Sequence, residues 1–287
     1  MPTTYAHWRF GDECAKTLPD YLQKIINNNR DIFNIGLHGP DIFFYYNCIK
    51  PNDVNKYGSN LHRIAYKDTL EKIKPFYKAC ENIEASLAYL LGFTCHFALD
   101  SYCHSYIDKA ELVTPYSHGR IESQYDKHLL ILDGYDPIKK SVTFSLKPTK
   151  KIAHTIAGLI KDQSEKVIYK STKDQVFYLN LLKDDTDLKR SILIKLMEGL
   201  HANKYKDLLI TKNEYKDIEP IMLRLDKLYA KAKEHYKELA LSLFNYLEKD
   251  EKLDSYFHNV FDHRKDYKDV PYYSLEDEKN YIVKKLD

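Results

Sequence analysis

His96-Phe-Ala-Leu-Asp100-Ser-Tyr-Cys-His104, followed by His118-Gly-Arg-Ile-Glu122, decides how this chain is read. Each step of four residues overshoots a full helical turn by only about 40°. His96, Asp100 and His104 therefore share one face of one helix, and His118 and Glu122 share one face of a second. Imidazole and carboxylate suit zinc when a site is hydrolytic rather than structural. Five such ligands exceed the three that one catalytic zinc takes. The pattern predicts a cluster of metal ions, a device suited to cleaving phosphate esters.

A His-x-x-x-Asp pair on a solvated helix usually means nothing. Here the preceding residues, Ala85 to Leu99, are apolar on all sides, the mark of a buried central helix. An ionised Asp100 in such a helix is costly unless it is paired or bound to a cation. Neutral histidines nearby supply no counter-charge, and a metal resolves the conflict.

Working outward, few glycines (9) and long Leu/Ile/Lys/Glu stretches argue for an all-α chain, and 44% apolar residues are ample for a core. The net charge of +2 is spread evenly over both halves, so no basic arm points to nucleic acid. The N-terminal residues have neither a basic start nor an apolar run, and the apolar stretch at 85–99 is too short to span a membrane. A cytoplasmic protein is expected, with the five cysteines as free thiols. Cys103, beside His104, reads as a small buried residue rather than a ligand.

The periodicity predicts one helix from Tyr5 to about Ile26, a Gly-Pro loop at 36–41, and a polar loop over 52–60. It then predicts helices over 70–80, 83–106 and 118–130. Residues 131–150 read as a loop with at most a short strand. A long amphipathic helix is expected from an N-cap at Asp217, with Pro220 in its first turn. The chain is read as a single helical domain, 1–287, with a metal-site half (1–130) and supporting helices (151–287).

Three further ligand types stand in suggestive places: His7 in the first helix, Asp41 after Gly39-Pro40, and His62 after Tyr57-Gly-Ser-Asn-Leu. Each alone is weak. In this order, ahead of the two motifs quoted above, they resemble the zinc-dependent phospholipase C family of bacteria over about residues 1–130. The resemblance implies a compact all-α domain of the zinc-dependent phospholipase C / zinc nuclease type, with zinc ions in a cleft. It implies that Asp41, His62, His96 and Asp100 hold one zinc, and His104, His118 and Glu122 a second. His7 and Asp100 would share a third, with Asp100 as a bridge. Asp41 would be the catalytic residue that orients or deprotonates the attacking water.

The sequence departs from the secreted members in three ways. They supply the third zinc from an N-terminal Trp, whereas here Trp8 follows His7, so two zinc ions are expected and the third depends on another donor. They place an aromatic residue directly after the Gly-Pro-Asp aspartate, where this chain has Ile42. They also place the next His slightly farther along than His104. The run Phe43-Phe-Tyr45 could support a lipid or a cationic headgroup, but reads first as core.

The function implied is hydrolysis of a phosphate diester by a metal-bound hydroxide, most simply phospholipase C-like cleavage of a phospholipid, with transient contact to a membrane surface. The alternatives are a single-strand nuclease of the same fold and a non-catalytic metal-binding or partner-binding protein. Even charge argues against the nuclease, and no nucleic acid partner is expected. The His-Asp dipeptide type of phosphohydrolase is a poor fit, since no His is followed directly by Asp.

Overall fold

A computed structural model describes residues 4–183, 186–199, 203–211 and 213–283. The helices are α1 (Thr4–Ala15), α2 (Asp20–Asn28), α3 (Arg30–Gly36), α4 (Asp53–Arg63), α5 (Tyr66–Tyr77), α6 (Ile83–Val113), α7 (His118–Leu132), α8 (Lys150–Leu159), α9 (Glu165–Leu182), α10 (Asp187–Gly199), α11 (Glu219–Glu248) and α12 (Leu275–Asn280). Short 3-10 turns cover Gly39–Tyr45, Asn203–Leu208, Ser255–His258 and Tyr267–Asp269. No strand occurs among the described residues, the segment 131–150 included. The fold is all-α, as the composition requires.

The 31-residue α6 is the axis of the molecule. From Ala85 to Leu99 every residue is buried, so no side of the helix is spared for solvent. α11 packs along it, and α1, α2, α3, α7 and α8 complete the jacket. α3 crosses α6 at two glycines. A Cβ on Gly92 would lie 2.4 Å from the Phe33 carbonyl oxygen, and one on Gly36 2.3 Å from that of Tyr89. Only glycine lets the two backbones meet this closely, and the contact delivers the Gly39–Tyr45 turn to the middle of α6.

The turn between α6 and α7 is equally specific. Thr114, the C-cap of α6, donates its hydroxyl to the Ala110 carbonyl at 2.7 Å. Pro115 follows, and Ser117 caps α7 by accepting from Arg120 N at 3.2 Å. The chain reverses within four residues, so His118 returns beside His104, with ring centroids 5.2 Å apart.

Three local readings are corrected. The first helix is two, because Pro19 removes a donor and ends the run, and α2 restarts at Asp20. The polar stretch 52–60 lies mostly within α4: Asn52 caps it by accepting from Asn55 N at 3.1 Å, and Gly58, Leu61 and His62 form a buried stripe. Polarity hid a helix whose buried face is three residues wide. Asp217 has φ +58 and is not the cap; Ile218 occupies that position, and Pro220 does sit in the first turn of α11.

Candidate metal centre

The structure brings all eight predicted ligand residues together. His7 comes from α1, Asp41 from the 3-10 turn, and His62 from the last turn of α4. His96, Asp100 and His104 line α6, and His118 and Glu122 begin α7. Asp100 is the hub. Its Oδ1 lies 3.1 Å from His7 Nε2 and 3.7 Å from His104 Nε2, and its Oδ2 lies 2.9 Å from His96 Nε2. Asp41 reaches His62 Nε2 at 2.9 Å through Oδ1 and His96 Nε2 at 3.4 Å through Oδ2. Glu122 Oε1 lies 3.1 Å from His118 Nε2 and 3.5 Å from His104 Nε2.

Three groups of donor atoms result: Asp41, His62 and His96; His7, His96 and Asp100; His104, His118 and Glu122. The first two share His96, whose Nε2 has one lone pair and can serve one ion. The spacing of four at His104, which departs from the secreted enzymes, nevertheless delivers that ring between Asp100 and Glu122.

These residues fit a metal on two further counts. Asp41 Oδ2, His96 Nε2 and Asp100 Oδ2 are buried and make no hydrogen bond, although His96 Nε2 lies 3.4 Å from the first carboxylate oxygen and 2.9 Å from the second. Buried polar atoms are otherwise hydrogen-bonded almost without exception. The imidazoles are also oriented from behind. The Nδ1 of His62 meets the Gly58 carbonyl at 2.8 Å, that of His96 the Leu37 carbonyl at 3.1 Å, and that of His104 the Phe261 carbonyl at 2.7 Å. His118 Nδ1 meets Asp108 Oδ1 at 2.6 Å. A ring that donates Nδ1–H to such a partner presents Nε2 as a lone pair, the form that binds metal. His7 stacks on His96 with centroids 4.2 Å apart, but its Nδ1 has no hydrogen-bond partner.

The electrostatics show what the site demands. Burial disfavours a charged His104, yet Asp100 and Glu122 outweigh it and push its pKa up to about 10. Burial likewise opposes His118, and Glu122 and Asp108 push it up to about 9. Asp100 is fully buried, but His104, His96 and His7 hold its carboxyl well below the usual range. Without a cation the carboxylates draw protons onto the rings, so the cluster is built to surround positive charge.

The mouth of the centre is a cavity lined by Asp41, Phe44, Ser59, His62, His104, His118 and Asp262. Of the aromatic run, Ile42, Phe43 and Tyr45 are core, as the simpler reading expected. Phe44 alone is half-buried, and it stacks on His62 at 5.1 Å. Cys103 is buried and is not among the grouped donor atoms.

A family model described as zinc dependent phospholipase C matches residues 6–183. The chain belongs to the zinc-dependent phospholipase C family. The match runs past the ligand motifs through α8 and α9, farther than the motifs alone reach. No curated protein and no solved structure matches the chain. No helix among the described residues is long and apolar enough to cross a membrane.

Sequence reasoning missed the C-terminal contribution to the centre. Phe261 and Asp262 reach it from the far end of the chain, and Asp108, one turn past His104, stands behind His118. The spacing of Asp108 from His104 is again four, a signal present in the sequence but outside the quoted motif.

Proposed function

We propose that this protein is a zinc-dependent phosphodiester hydrolase that cleaves phospholipids or related diesters in the manner of a phospholipase C. The observation that carries the reading is the convergence of eight ligand side chains, Asp100 central among them, with four imidazoles held from behind so that Nε2 faces inward. In this reading Asp41, His62, His96 and Asp100 hold one zinc, and His104, His118 and Glu122 hold a second. His7 with Asp100 supplies part of a third site. Zinc bound there offsets charge on the phosphoryl oxygens and lowers the pKa of water.

The chain's own residues do the rest. Asp41 borders the solvent-facing mouth and carries an oxygen, Oδ2, with no hydrogen-bond partner, which suits it to orient the attacking water and accept its proton. Water adds to phosphorus, the bond from phosphorus to the glycerol oxygen breaks, and that oxygen leaves with a proton as the alcohol of diacylglycerol. Phe44 offers an apolar face beside His62 at the mouth. A separate cleft borders Glu122 and is lined by Ile138, Val142, Leu179 and Leu182 together with Lys140 and Lys183. Apolar walls with two ammonium groups suit an amphipathic anion better than a polynucleotide backbone.

Zinc-loaded protein should therefore cleave a chromogenic phosphodiester and release a phosphorylated headgroup from phospholipid dispersions. Cleavage of single-stranded DNA alone would replace this reading with the nuclease. Zinc binding with no turnover of any of the three substrates would leave a metal-binding protein.

A further inference from the structure

Residues 259–264 lie outside the span that matches the family, yet they run along the metal centre. Both ends are tied down. The Asn259 carbonyl accepts from Tyr66 N at 3.1 Å, and Arg264 N donates to Ser105 Oγ at 3.0 Å. Between them three consecutive residues each engage a different part of the centre. The carbonyl of fully buried Phe261 accepts from His104 Nδ1 at 2.7 Å. Asp262 N donates to the His62 carbonyl at 3.1 Å. His263 Nδ1 meets Asp108 Oδ2 at 2.5 Å.

Asp108 makes the last of these contacts consequential. Its Oδ1 accepts from His118 Nδ1 at 2.6 Å while its Oδ2 is taken by His263. A carboxylate with each oxygen committed to a different imidazole has one orientation. His118 needs such a brace. Its side chain is 25% exposed, the most of the eight candidate ligands, so packing alone does not fix its ring. It is also the imidazole whose rear partner is a carboxylate, where His62, His96 and His104 use backbone carbonyls. A carboxylate behind a ligating imidazole fixes the ring and raises its basicity.

We infer that Asp108, held in place by His263, is a positioning residue that sets His118 for a divalent cation at His104, His118 and Glu122. The C-terminal segment 259–264 is thereby a working part of the centre rather than a distant support. This rests on the zinc reading above.

The test is zinc affinity, measured ion by ion through competition with a chromophoric chelator, with the melting temperature of the chelator-treated protein recorded for each variant. Asp108→Asn should weaken one zinc about 10–100-fold and leave the affinity for the others unchanged. Asp108→Glu, which restores the carboxylate, should recover part of that loss. His263→Gln should weaken the same ion by less, and should add nothing in the Asp108→Asn background, because both act through one carboxylate. Wild-type affinity in a folded Asp108→Asn protein, or equal weakening of every ion, overturns the inference. If Asp108→Asn does not fold, His263→Gln decides alone, and an unchanged affinity for every ion overturns it. A wild-type protein that binds no zinc at all fails earlier, at the zinc reading itself.

Discussion

Asp100 Oδ2 lies 2.9 Å from His96 Nε2, one helical turn away, yet the two form no hydrogen bond. The same carboxylate turns its other oxygen to His7 and His104. One side chain on α6 thus faces imidazoles from α1 and from both neighbouring turns of its own helix. In the metal-free protein this buried anion is balanced by protons drawn onto His104 and His7, and a metal ion shared by the same groups would take their place.

Asp100→Asn should therefore cost more zinc and more activity than Glu122→Gln. The amide keeps the shape in each case and removes the charge. Glu122 faces His118 and His104, members of one donor group, whereas Asp100 faces His7, His96 and His104, members of all three. Zinc content by elemental analysis, on protein purified without chelator, should fall by more than one ion in the first variant and by about one in the second. Equal losses would remove the bridge.

Asp41→Asn should lower turnover at least tenfold while most of the zinc stays. Its Oδ1 faces His62 and its Oδ2 faces His96, and both rings keep their rear hydrogen bonds without it. As a mere turn residue it would cost about 1 kcal/mol of stability with activity intact. Zinc content, melting temperature and phosphodiester turnover on one preparation separate the two, and full turnover in well-folded protein would exclude Asp41 from the chemistry.

Much of this centre was legible because its ligands follow helical arithmetic. His96, Asp100, His104, His118 and Glu122 sit at steps of four, and apolar residues on every side of 85–99 marked the helix as buried. His7 and His62 carried no such signal and were found only through a family order of ligands. The split of the first helix at Pro19 was missed because the apolar period on either side stays nearly in phase. The helix over 53–63 was missed because its buried face is narrow and its other faces are Asn, Asp, Lys and Ser. Phe261, Asp262 and His263 were illegible for a different reason. Their contacts are through backbone carbonyls and amides as much as side chains, and a backbone group leaves no mark in a sequence.

Gly39→Ala should damage the centre before it damages the fold. Gly39 has φ +45, where a Cβ is strained, and that Cβ would lie 2.4 Å from His96 Cδ2. The ring is packed between Gly39 and His7 and cannot move aside without leaving Asp41 and Asp100. The expected cost is about 1–3 kcal/mol of stability together with a measurably weaker zinc. Unchanged zinc affinity in chelator competition would mean that His96 yields without loss and is not held as tightly as the contacts imply.

Glu278→Gln tests the fold away from the grouped donor atoms. Arg224 on α11 and Glu278 on α12 are both fully buried, and they pair through two hydrogen bonds of 2.7 Å each. The guanidinium lies 4.0 Å from the centroid of the Tyr281 ring and 4.9 Å from that of Tyr106. The pair fastens α12 to α11, and through Tyr106 to α6. Forming such a pair gains little over a hydrophobic replacement, but removing one partner strands a charge in the core and costs about 3–5 kcal/mol. Denaturant unfolding of metal-free protein should show a loss of that size in Glu278→Gln. The zinc stoichiometry of the folded fraction should be unchanged, since neither residue belongs to the grouped donor atoms. A loss below about 1 kcal/mol would mean that the aromatic rings and the Pro271 carbonyl, 3.4 Å from Arg224 Nη1, already suffice for the cation.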